Sequence, residues 1–215
     1  MIQHHPGDEW LLALAAGRVG AGETVVLDVH LESCAACRSR LQVLKALGGA
    51  LLDESAPELL APEALARTLT RIDAPAPAAA PATAWPRPAL PGLTWPHAMR
   101  NARVSRWHRM GPGVRWSRVR LASDPAAALF LLRIASGRSL PRHGHHGIEL
   151  TQVLCGCFDD GRAVFGPGDF DAVDGSVRHQ PVVTAGGECI CLASVDGRLL
   201  FEGRVASLVA RWVGM

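Results

Sequence analysis

Residues 137–156 read GRSLPRHGHHGIELTQVLCG. Alternate residues of a strand project to the same face, so His143 and His145 point one way. Glu149, after a short turn, can return on the neighbouring strand to the same interior spot. Two imidazoles and a carboxylate suit Zn, Fe, Mn or Ni. Working outward, residues 129–134, 149–154, 187–194 and 198–201 are short, apolar or alternating, and bounded by Gly, Asp and Pro. Many short strands punctuated in this way predict an all-β sandwich or barrel over 92–215. Residues 206–213 read equally well as helix or strand.

The fixed positions of the opening stretch follow G-x5-H-x-H-x3-E-x6-G, which resembles the first motif of the cupin superfamily with every position filled. The second cupin motif, G-x5-P-x-G-x2-H-x3-N, is degraded. From Gly168 onward Asp174 stands for the proline, Ser176 for the glycine and Val183 for the asparagine, while His179 keeps its place. The resemblance implies a small cupin barrel, a sandwich or jelly roll, in which His143, His145, Glu149 and His179 complete a four-ligand set. Zinc is the first expectation for that divalent metal, with iron, manganese or nickel as alternatives. His108 and His146 read as surface or packing residues.

Upstream, residues 74–91 read APAPAAAPATAWPRPALP, with six prolines among 18 residues. Such a segment forms neither a helix interior nor a central strand. It reads as a semi-rigid extended linker between two domains.

Residues 1–73 read as an all-α domain. Asp8 is placed to cap a helix over 9–16, with Leu11, Leu14 and Ala15 on one face and Gly17 at its end. A second helix over 23–31 carries Val26, Val29 and His30 at helical spacing. Ser33 is the expected cap of a third helix, weakened at its end by Gly48 and Gly49. Pro62 suits the first turn of a fourth helix with Leu65, Leu69 and Ile72. Four short helices make a small core, which usually needs a metal or a partner.

Between the second and third helices, residues 30–37 read HLESCAAC. Cys34 and Cys37 lie three apart at a helix start, so both sulfurs face one side. His30, in the last turn of the preceding helix, can aim at the same point. Two thiolates and one imidazole leave one ligand missing from a closed tetrahedral zinc site, and His5 or His4 can supply it. Binding in such a closed site becomes folding energy. A redox Cys-x-x-Cys normally sits in a βαβ context, which this segment lacks.

Here the sequence resembles the ChrR-type zinc-binding anti-sigma factors, in which a distal His and H-x3-C-x2-C on a four-helix scaffold precede a cupin domain. The resemblance covers nearly the whole chain, with both motifs in the right order. It implies His5, His30, Cys34 and Cys37 as zinc ligands. It also implies an extracytoplasmic-function sigma factor as partner, and release of that factor under singlet oxygen or organic peroxide. A cupin enzyme, such as a dioxygenase or isomerase with a helical appendage, is the competing expectation.

Composition narrows the classes further. The 215 residues are 48% hydrophobic with a net charge of +2, which excludes a disordered chain. No apolar run reaches the roughly 18 residues of a membrane span. No secretory signal opens the chain, so a cytoplasmic location is expected. Residues 1–73 carry a net charge of −4 and 74–215 one of +6. Seven arginines fall between Arg100 and Arg120, but no nucleic-acid motif accompanies them, and solvent-facing strand positions are expected. Tyrosine is absent, so no Tyr can serve as an acid. Cys155, Cys157, Cys189 and Cys191 form two Cys-x-Cys pairs that read as small buried hydrophobes, with a redox pair as the sharper alternative.

Overall fold

The computed structural model describes residues 1–75, 87, 88, 90, 92–184, 186–197 and 199–201. Most of the expected linker and the stretch 206–213 lie outside the described residues. The four expected helices are present: α1 (Asp8–Ala15), α2 (Ala21–Ser33), α3 (Ala35–Asp53) and α4 (Ala64–Asp73). Among the described residues no helix is long and apolar enough to cross a membrane.

Two caps differ from expectation. Gly7, not Asp8, precedes α1, and Asp8 instead accepts a hydrogen bond from Arg40 Nε of α3 at 2.9 Å. Ser33 ends α2, donating to the His30 carbonyl, and Cys34 takes the N-cap of α3. The Cys34 sulfur accepts from the Cys37 backbone N–H at 3.4 Å, doing what a Ser or Asp oxygen does at other helix starts. Helix α3 runs through Gly48 and Gly49 to Asp53.

Among the described residues thirteen strands follow: β1 (Arg103–Val104), β2 (His108–Gly111), β3 (Val114–Arg120), β4 (Leu129–Ile134), β5 (His143–His145), β6 (Glu149–Cys155), β7 (Phe158–Asp159), β8 (Val164–Phe165), β9 (Phe170–Val173), β10 (Arg178–His179), β11 (Val182–Val183), β12 (Cys189–Val195) and β13 (Leu199–Phe201). All pairings are antiparallel. The large sheet runs β1-β3-β4-β12-β6-β9 with β2 on β3, and two smaller sheets run β10-β5-β13 and β11-β7-β8. Among the described residues the strands form a cupin-like sandwich rather than a closed barrel. Most of the expected arginines do face solvent on β1–β3, while Arg118 lies over the Phe130 ring.

Alternation along β4, β6 and β12 gives the large sheet two apolar faces. Leu129, Leu131, Leu150, Ile190 and Leu192 pack against Val26, Leu27 and Val29 of α2. On the opposite face Ile134, Val153, Cys189 and Cys191 pack with Phe158, Phe165 and Val183. The large sheet is therefore a middle layer. The sheet supplies much of the apolar surface that the small helical core lacks. Gly22 permits the close crossing: a Cβ there would lie 2.5 Å from Ser194 Oγ on β12.

Candidate metal centres

On the helical side of the sheet, His30 at the end of α2 meets Cys34 and Cys37 at the start of α3. The extended N-terminal segment brings His5 to the same point. His30 Nε2 lies 3.3 Å from Cys37 Sγ, and His5 Nδ1 lies 3.3 Å from each of the two sulfurs. All four donor atoms fall within 4.8 Å of one another, with His5 exposed and the others buried. His4 goes elsewhere, with its ring 4.5 Å from that of Phe165. Burial and the Cys34 thiol push Cys37 up to about 12. Two buried sulfurs this close ionise together only around a cation. Two sulfurs and two imidazoles converging on one point fit a structural zinc site.

On the other side of the sheet, β5 presents His143 and His145, β6 presents Glu149 and β10 presents His179, all buried. His179 Nε2 lies 3.2 Å from His143 Nε2 and 3.3 Å from His145 Nε2. The Pro141 carbonyl, which can only accept, sits 2.8 Å from His143 Nδ1 and so holds a proton there, with Nε2 turned toward the cluster. Glu149 Oε2 lies 3.3–4.0 Å from the three Nε2 atoms and makes no hydrogen bond to a described residue. Imidazole lone pairs and an orphaned carboxylate oxygen facing one point suit a divalent cation. Burial works to raise Glu149, but the surrounding imidazoles win and hold it at about 2. Glu149 in turn raises His143 against its burial, while burial keeps His145 and His179 low.

Several residues around these clusters escaped the sequence reading. Asp160 Oδ2 stands 3.5 Å from His179 Nδ1. Asp160 is itself held by Arg162 Nε at 2.8 Å, and Arg162 also pairs with Asp171 at 2.6 Å. Such an outer carboxylate orients a ligand imidazole. The signal available in the sequence, two aspartates and an arginine in a DDGR turn, is common in ordinary loops. Cys189 and Cys191 have sulfurs 3.5 Å apart. They border a cavity of about 30 Å³ shared with His143, Glu149 and His179. The Cys189 thiol and burial push Cys191 well above the ordinary thiol range. Cys155 and Cys157 are only half-buried.

A second surface feature belongs to α3 and α4. Val43, Leu47 and Leu51 recur along α3, and Leu65, Leu69 and Ile72 along α4, each set at helical spacing. With Leu52, Leu59 and Leu60 they are 51–96% exposed. Helix α4 buries no residue at all. An apolar face this long is unusual on a free surface and marks an interaction site.

Three comparisons bear on this arrangement. Residues 96–196 match the family described as the ChrR Cupin-like domain. The anti-sigma-E factor ChrR of Cereibacter sphaeroides is 37% identical over 208 residues, covering 97% of this chain and 96% of that protein. A crystal structure of Rhodobacter sphaeroides SigE in complex with the anti-sigma ChrR contains a chain 35% identical to this one. It superposes with a TM-score of 0.70 over 91% of this chain and all of that chain.

Proposed function

The chain belongs to the ChrR family of anti-sigma factors, and from that premise we propose that it binds an extracytoplasmic-function sigma factor and keeps it from RNA polymerase. The observation that carries the proposal is the apolar face of α3 and α4, which nothing in the chain covers among the described residues. The relative crystallised with SigE supports the same partner class. That relative is a regulator, and the cupin-enzyme reading has no comparable support over the full length.

In this reading residues 1–73 bind the sigma factor, 74–91 link, and 92–215 sense. His5, His30, Cys34 and Cys37 hold zinc, which would neutralise both thiolates and convert binding energy into folding energy. His143, His145, Glu149 and His179 hold a divalent metal, zinc first. Within the chain, the Pro141 carbonyl orients His143 by its Nδ1 atom, and the Asp160 carboxylate stands beside the Nδ1 of His179. The cavity beside Cys189 and Cys191 has room for roughly one water-sized molecule. That supports a small oxidant as the signal. The resting Cys191 thiol is a poor nucleophile, so a sulfur response would begin only once the neighbouring ligands are disturbed. The absence of a long apolar helix among the described residues fits action in the cytoplasm, where sigma factors work.

Co-expression with its sigma factor tests the proposal. A soluble complex that core RNA polymerase cannot capture is expected. A folded, zinc-loaded chain with no affinity for any such factor would overturn it.

A further inference from the structure

Gln152 is a polar residue in the wrong place for a plain strand. It is 1% exposed and lies on the α2-facing side of β6, between Leu150 and Leu154. Burying an amide costs free energy unless it is hydrogen-bonded. Its Nε2 donates to the Val153 carbonyl at 3.2 Å, which fixes the amide orientation. Its Oε1 is then turned to His30 Nδ1, 3.1 Å away. The Gly168 carbonyl stands at 3.1 Å from the same nitrogen. Two acceptors on Nδ1 require the proton there, leaving the Nε2 lone pair to face Cys37.

We propose that Gln152 is a positioning residue for the N-terminal centre, so that the set His5, His30, Cys34 and Cys37 is completed from the strand region of the chain. The proposal rests on the reading of that set as a zinc site. Neighbouring groups act in the same sense. The Asp169 carboxylate accepts from the backbone N–H of Gln3 at 2.6 Å and of His4 at 3.0 Å, and Phe170 N–H donates to the His4 carbonyl at 3.0 Å. These bonds hold the segment that delivers His5. The Phe170 ring meets the His30 ring edge-on at 5.8 Å.

The placement also joins the two centres. Gln152 pairs with Phe170 and Glu149 pairs with Val173 in the β6–β9 ladder. Glu149 faces one side of β6 and Gln152, three residues on, faces the other. Glu149 and Gln152 thus stand on one strand with no loop between them.

The test uses the full chain, with zinc affinity of the N-terminal site measured by chelator competition against Cys34→Ser as the blank. Gln152→Leu should weaken zinc by roughly 10- to 100-fold, the range for lost outer partners of ligand histidines. Gln152→Glu, which keeps an acceptor, should restore most of the loss. Unchanged affinity in Gln152→Leu, or equal loss in both variants, would overturn the proposal. If Gln152→Leu does not fold, ¹⁵N NMR of His30 in the unaltered chain decides. Coordination through Nε2 with a protonated Nδ1 is expected, and coordination through Nδ1 overturns it. An unaltered chain holding no more zinc than Cys34→Ser overturns the zinc reading and the proposal together. Zinc present with Gln152 irrelevant overturns the positioning role alone.

Discussion

The two clusters sit on opposite faces of one sheet and solve the same problem differently. The strand-side cluster balances its own charge. Glu149 stays ionised in full burial because three imidazoles surround it, and His143 rises in response. The helix-side cluster holds no carboxylate; its acidic groups are the thiols of Cys34 and Cys37 beside two imidazoles. Burial and the neighbouring Cys34 thiol push Cys37 up to about 12, so its surroundings oppose a thiolate there. One cluster thus keeps a buried carboxylate ionised, while the other opposes ionisation of a buried thiol.

The sharpest way to break the comparison is at the thiols. Cys34→Ser or Cys37→Ser should abolish both N-terminal metal and sigma binding, read by metal analysis and by complex recovery. Inhibition retained in vivo would mean that the staple is dispensable. Next in size, Leu47→Asp combined with Leu69→Asp should weaken the sigma complex by about 10-fold or more while leaving the melting temperature nearly unchanged, because both side chains already face solvent. If binding is unaffected, the apolar face is not the contact.

Smaller effects belong to the other face of the sheet. His143→Ala or Glu149→Ala should leave sigma inhibition intact and blunt the oxidative response in a reporter assay. Loss of inhibition would instead show that the strand region helps hold the factor. The smallest effect concerns the junction between the two faces. Burial works to raise Asp169, but backbone N–H groups of Gly166, His4 and Gln3 win and hold it below its ordinary 3.8. A depressed carboxyl contributes stability above its unfolded value and loses it as pH falls through the folded one. The stability difference between the parent chain and Asp169→Ala, about 1 to 3 kcal/mol at pH 6 in urea melts, should shrink below pH 3.8. A pH-independent difference would assign the loss to packing.

Much of this molecule was legible along the chain. His143 and His145 share a face because residues two apart on a strand always do, and Cys34 and Cys37 share one because residues three apart at a helix start do. The strands over 129–134 and 149–154 were readable from their apolar alternation and their bounding turns. The caps were less so. Ser33 and Asp8 are good capping types, yet Cys34 and Gly7 hold those positions: Ser33 is still inside α2, and Asp8 is taken up by Arg40 of α3. His4 and His5 were indistinguishable by type; the family resemblance pointed to His5, and the route of the N-terminal segment along Asp169 and Phe170 brings that residue to the sulfurs.

Sequence alone determined the donor types, their local spacing and the order helices, proline-rich segment, strands, since these follow from backbone periodicity and side-chain chemistry within a few residues. Only the tertiary structure decided that α2 lies on the sheet, that the two clusters fall on opposite sides of that sheet, and that Gln152 meets His30 at a separation of 122 residues. Such contacts are set by the packing of whole faces, and a buried glutamine in an apolar stripe carries no local mark of the partner that satisfies it.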